Sequence, residues 1–88
     1  MGYKRGTAKL GRLITFEASA TCYNVLVMDG VNGMSIVADA EGRWIAPVPR
    51  NHLDNVSQLE YYLKKSGRSE VDAHNIALAI VADVFDRG

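Results

Sequence analysis

The sequence predicts an α+β fold: an antiparallel sheet of three or four strands, then an αα-hairpin packed on one face, in the order ββββαα. Three observations carry that prediction. Hydrophobic residues recur with a period near two as far as Pro49 and with a helical period after it. Turn signals at Asp29-Gly30, Asn32-Gly33 and Gly42 cut the first half into short segments that reverse direction. Gly67, followed closely by Ser69, stops one helix and starts another, so the two helices lie side by side. With 88 residues the chain has room for one core, and 1–88 reads as a single domain.

Residues 1–8 read as a loose basic lead-in. The run LITFEA, from Leu13 to Ala18, alternates as a strand does, with Ile14, Phe16 and Ala18 on one side. CYNVLVM, from Cys22 to Met28, is rich in β-branched and large apolar residues and reads as a second strand. After the DGVNG turn, MSIVADA sets Met34, Ile36 and Ala38 against Ser35, Val37 and Asp39. A turn at 39–42 leads into RWIAPVP, where Pro47 and Pro49 lack backbone donors and place the strand at a sheet edge. This alternation assigns Ile14, Phe16, Met34, Ile36, Trp44 and Val48 to the helix-covered face. Leu13, Thr15, Val37 and Ile45 fall on the other side, and the second strand is apolar on both. A solvated sheet face normally turns polar, so the expected outer face is an apolar patch of the kind that marks an interface.

Asp54 or Asn55 is placed to cap the first helix. Val56, Leu59 and Leu63 form its narrow apolar stripe with Tyr62 beside it, and Lys64 and Lys65 suit its negative end. Ser69 and Asp72 form an acidic variant of the capping box for the second helix, 69–88. At ~100° per residue, Ala73, Ile76, Ala77, Ile80 and Val84 make one stripe of that helix. Val71, His74, Leu78, Val81 and Phe85 make another beside it. The two cover roughly 220°, where a helix on one core needs little more than about 100°. The sheet takes one stripe and the sister helix part of the other; the side of Val71, His74, Leu78, Val81 and Phe85 that the narrow sister stripe leaves uncovered is a candidate oligomer interface.

Composition narrows the function. Ten basic and ten acidic residues cancel, so no global field draws the chain to nucleic acid or membrane. The charge is uneven, with Lys4, Arg5, Lys9 and Arg12 at one end and Glu70, Asp72, Asp83 and Asp86 against Arg87 alone at the other. No run approaches membrane-spanning length and the start lacks a signal-peptide core. A lone Cys22 excludes an internal disulfide and suits a reducing cytoplasm. His52 and His74 have no metal-ligand spacing, Glu17, Asp39 and Glu41 are not marked as an acid–base pair, and no phosphate-cradling glycine motif occurs. The expectation is a non-enzymatic protein with no cofactor and no metal. Tyr61 projects away from its helix's apolar stripe, as an exposed recognition tyrosine does.

The stretch DNVSQLEYYLKKSG, Asp54 to Gly67, follows four short strands and precedes a final helix. It resembles the compact phage-encoded anti-CRISPR proteins, in particular an inhibitor of type I-F surveillance complexes whose helical hairpin opens with a similar Gln-Leu-Glu-x-aromatic run. Gln58, Leu59, Glu60 and Tyr62 carry the likeness, which extends at most over 22–88. The resemblance implies a non-enzymatic protein that occupies a surface of a nucleoprotein complex. The expected contact residues are Tyr23, Val25, Val27 and Ile45 on the outer sheet face with Tyr61 as apolar anchors, and Arg43 setting register. Two other readings remain: a homodimer built on Val71, His74, Leu78, Val81 and Phe85, and a nucleic-acid binder using the basic arm at 4–12.

Overall fold

The computed structural model describes residues 11–87. It contains strands β1 (Gly11–Ala18), β2 (Thr21–Asp29), β3 (Met34–Asp39) and β4 (Ile45–Pro49), then helices α1 (Val56–Lys65) and α2 (Glu70–Arg87). The strands pair antiparallel in the order β1-β2-β3-β4, which is the predicted ββββαα arrangement. A 3-10 turn at Arg50–His52, absent from the periodicity reading, links β4 to α1. The basic lead-in at 1–8 lies outside the described residues.

Local backbone chemistry sets each reversal. Ala18 faces Thr21, which leaves Ser19-Ala20 as a two-residue loop. Both loop residues sit at positive φ, 52° and 61°, the primed turn whose twist matches its strands. It is built here without glycine, so no turn signal announces it. Asn32 and Gly33 supply positive φ in the second reversal and Gly42 in the third.

Strand register decides which side chains meet the helices. Arg12, Ile14 and Phe16 lie opposite Val27, Val25 and Tyr23. Val25 and Val27 face Asp39 and Val37 on β3, and Val37 and Ser35 face Ala46 and Val48 on β4. This set is the inner face. Tyr23, Val25, Val37, Ala46 and Val48 join Leu59, Leu63, Ala73, Ile76, Ala77 and Ile80 in the core, with Ile14, Phe16, Val27 and Trp44 packed against it.

Two expectations are thereby corrected. Tyr23, Val25 and Val27 point into the core and are not outer-face anchors. Met34 and Ile36 exchange sides with Val37. The cause lies in β3, whose inner side carries the small or polar residues Ser35 and Asp39, both buried. Its more apolar alternate set therefore faces away from the helices.

The helices are placed by their ends. The Asn55 carboxamide oxygen accepts from the Gln58 N–H at 3.0 Å, so Asn55 caps α1. Gly67, at φ 107°, closes it with paired bonds, Gly67 N–H to the Lys64 carbonyl and Arg68 N–H to that of Leu63, both 3.0 Å. The Ser69 hydroxyl accepts from the Asp72 N–H at 3.1 Å and opens α2. α1 then lies on β4 and α2 on β1. The Arg12 guanidinium donates from Nε to Asp83 at 3.0 Å and from Nη2 to the same carboxylate, pinning β1 to α2.

Candidate interaction surfaces

The outer sheet face is an apolar surface that neither helix covers. Leu13, Leu26, Ala38 and Ile45 stand in one register row across all four strands. Gly11, Met28, Ile36 and Pro47 form the next row, and Met34 and Pro49 pair beyond it. No charged residue falls on these rows. Polarity returns only at one end, where Thr15 donates to Asn24 at 3.0 Å and Glu17 lies opposite the exposed Cys22. Leu13 and Ile45 are 59% and 58% exposed. Ile45 is thus the one predicted sheet anchor that the structure leaves on the outside. Leu13, Leu26, Met28 and Ile36 share its face, in place of the three β2 residues.

The second surface is on α2. Ala73, Ile76, Ala77 and Ile80 are fully buried, as the first stripe requires. The second stripe divides. Val81 packs against the core, His74 shares a hydrogen bond with Glu60 of α1 at 2.5 Å, and Val71, Leu78 and Phe85 remain exposed. The narrow stripe of α1 cannot reach them.

Tyr61 lies on the helical layer, about half exposed. Its ring meets Tyr62 edge-on at 5.2 Å, and the Lys65 ammonium stands 5.7 Å from it. Tyr62 in turn lines a shallow groove with Ile45, Pro47, Lys65 and Ser66. Tyr61 and the sheet face are therefore on opposite layers, joined only around the β4 edge.

Arg43 stands beside a polar cleft of about 220 Å³ that also includes Tyr23, Asp39, Trp44, Arg68 and Asp72. Its Nε donates to Asp39 at 2.7 Å and its Nη2 pairs with Glu41 at 2.8 Å. The hydrogen bond from Arg43 holds the Asp39 carboxyl below its usual range, against the opposing push of burial. Arg68 lies over the Trp44 ring at 5.1 Å. Arg43 is exposed, but its charge is already engaged by two acids within its own turn. Arg68 Nη1 stands 3.9 Å from Asp72, which accepts from the Tyr23 hydroxyl, while the buried Arg68 Nε has no hydrogen-bond partner among the described residues.

The described residues hold no group of three His, Cys, Asp or Glu side chains placed for a metal. None of their helices is long and apolar enough to cross a membrane. The chain matches no protein-family model, and no curated protein or solved structure shows significant similarity to it.

Proposed function

We propose that this chain is a non-enzymatic interaction protein that covers a surface of a larger protein or nucleoprotein complex with the outer face of its sheet. One observation carries the reading: three register rows of that face are apolar and uncharged, and among the described residues both helices lie on the other face. The anti-CRISPR-like order of a sheet followed by a helical hairpin supports inhibition by occlusion as the outcome, and a free cysteine is in keeping with a cytoplasmic setting.

Area favours a foreign partner over a second copy. With strands about 4.8 Å apart and same-face rows about 6.8 Å apart, the patch spans roughly 19 × 20 Å, on the order of 400 Å². Two copies face to face would bury about 800–1,000 Å² with side-chain relief, short of the ~1,200 Å² at which specific interfaces begin. A larger partner can extend around the β4 edge to Tyr62 and Tyr61. The basic-arm reading loses Arg12, which is engaged with Asp83; Lys4, Arg5 and Lys9 lie outside the described residues.

The test is capture from source-cell extract with the wild-type chain and an Ile36→Gln/Ile45→Gln variant. Both positions are on the outer face and outside the core, Ile45 exposed and Ile36 half-buried, so the double change is expected to lower stability without unfolding the domain. The variant is expected to keep its thermal transition and to lose what the wild type retains. Identical retention by both proteins would overturn the reading.

A further inference from the structure

We propose that the polar cleft between the start of β2, the β3–β4 turn and the α1–α2 junction binds a free zwitterionic α-amino acid, with the ligand's carboxylate on Arg68 and its ammonium on Asp72. The walls of this cleft include Tyr23, Val25 and Trp44, which pack with the core. The site is therefore distinct from the sheet's outer face, and the proposal stands independently of occlusion by that face.

Two opposite charges in the cleft are anchored and yet short of hydrogen bonds. The Arg68 side chain is only 31% exposed, but its guanidinium makes no hydrogen bond among the described residues, and its buried Nε has no partner there. The Trp44 ring holds it from one side, 5.1 Å away. Asp72 is anchored through its Oδ1, which accepts from the Tyr23 hydroxyl at 2.7 Å, and through its own backbone N–H, which donates to Ser69 at 3.1 Å. Its Oδ2 stands 3.9 Å from Arg68 Nη1, too far for a hydrogen bond. Buried donors left without a partner are costly. The fold itself supplies none for this guanidinium.

The other charges of the cleft are matched. Asp39 accepts from Arg43 Nε at 2.7 Å, and Glu41 pairs with Arg43 Nη2 at 2.8 Å. Arg43 and Arg68 stand against Asp39, Glu41 and Asp72, which leaves the cleft with a net negative charge. A simple anion would add to that excess. A simple cation would leave the Arg68 donors unmet. A ligand of no net charge that carries both a carboxylate and an ammonium meets the two open groups at once.

Spacing and size narrow the class further. An α-amino acid carries its carboxylate and ammonium on one carbon, a close pair to set against the close pair of Arg68 and Asp72. Its carboxylate accepts from two N–H groups of the guanidinium, the planar pairing that this fork favours. Its ammonium donates to Asp72 Oδ2. At about 220 Å³ the cleft is matched to a single small molecule of that kind. Thr21, Glu41 and Arg43 line the remainder, so a small or polar ligand side chain is preferred.

Trp44 is the one tryptophan of the chain, so its emission reports on binding at the Arg68 guanidinium. Titration with L-serine and with L-glutamine is expected to change that emission saturably for at least one of them. N-acetyl-L-serine and N-acetyl-L-glutamine lack the ammonium, and the corresponding α-amides lack the carboxylate. Each is expected to bind about ten-fold more weakly or worse than its parent. Asp72→Asn, which keeps an acceptor for Tyr23, and Arg68→Gln are expected to weaken binding by a similar factor. Should either variant fail to fold, the ligand analogues make the same deletions with the protein intact. Ile36→Gln/Ile45→Gln is expected to leave binding unchanged, which separates this site from the outer face. The proposal is overturned if neither amino acid binds saturably, if an analogue binds as tightly as its parent, or if a folded Arg68→Gln or Asp72→Asn variant binds as the wild type does. It is equally overturned if the outer-face variant abolishes binding, or if inorganic phosphate displaces the amino acid, which would make the cleft a general anion site.

Discussion

Tyr23 ties three elements together. Its ring stacks on Phe16 of β1 at 4.8 Å, its hydroxyl donates to Asp72 of α2 at 2.7 Å, and Asn75 donates back to it at 3.3 Å. The bond from Asn75 pulls the hydroxyl pKa down, but burial and the Asp72 carboxylate together push it above its usual value. The group therefore stays a neutral donor throughout the physiological range. Two substitutions separate ring from hydroxyl. Tyr23→Phe keeps the stack and is expected to cost about 1 kcal/mol, the net worth of a hydrogen bond. Tyr23→Ala also empties the core beneath α2 and is expected to cost about 3–5 kcal/mol. Urea denaturation measures both, and equal losses would mean that the ring contributes nothing. Periodicity puts Tyr23 outside because β2 is apolar on both sides. The cue to its true facing is Asn24, the one strongly polar residue between Tyr23 and Val25, and it lies exposed on the outer face.

The elements whose ends carry side-chain chemistry are legible in the sequence, and those set by backbone geometry alone are not. Asn55, Gly67 and Ser69 mark the helix ends because each makes the bond its residue type favours. Pro47 and Pro49 mark an edge strand. The β1–β2 hairpin escapes notice because Ser19 and Ala20 hold a conformation that asparagine and glycine usually supply. That mismatch has a measurable consequence. An alanine at positive φ costs roughly 1–2 kcal/mol, whereas glycine there costs roughly 0.5–1 kcal/mol through the greater freedom of the unfolded chain. Ala20→Gly is therefore expected to stabilise the protein by about 0.5–1 kcal/mol. Ser19 is best left alone, because its hydroxyl accepts from Asn75 at 3.2 Å. A lower midpoint of chemical denaturation for Ala20→Gly would show that the loop is not strained. β3 misleads for another reason: its buried side carries Ser35 and Asp39. The Asp39 carboxylate is matched by Arg43, a pairing that hydrophobic alternation cannot register.

The layers themselves follow from the order of elements, but what each layer leaves uncovered depends on register and helix width. The surplus stripe of α2 is visible as periodicity, and Val71, Leu78 and Phe85 are indeed exposed. That Tyr61 shares their layer while Ile45 lies on the opposite one is a tertiary fact. It constrains assembly. If both the α2 stripe and the sheet face paired with themselves, each molecule would carry two two-fold contacts on opposite sides, and the product would be an open stack instead of a closed dimer. Neither surface alone reaches the area of a specific dimer. The sheet face falls below it when doubled, and three partly exposed α2 side chains offer less still. The expected state of the isolated chain is therefore a monomer whose sedimentation coefficient does not change with concentration in the micromolar range. Leu78→Gln/Phe85→Gln and Ile36→Gln/Ile45→Gln are both expected to sediment as the wild type does. A dimer abolished by the first pair would assign the α2 stripe to self-association. A dimer abolished by the second would give the sheet face to a second copy and remove it from the partner proposed for it.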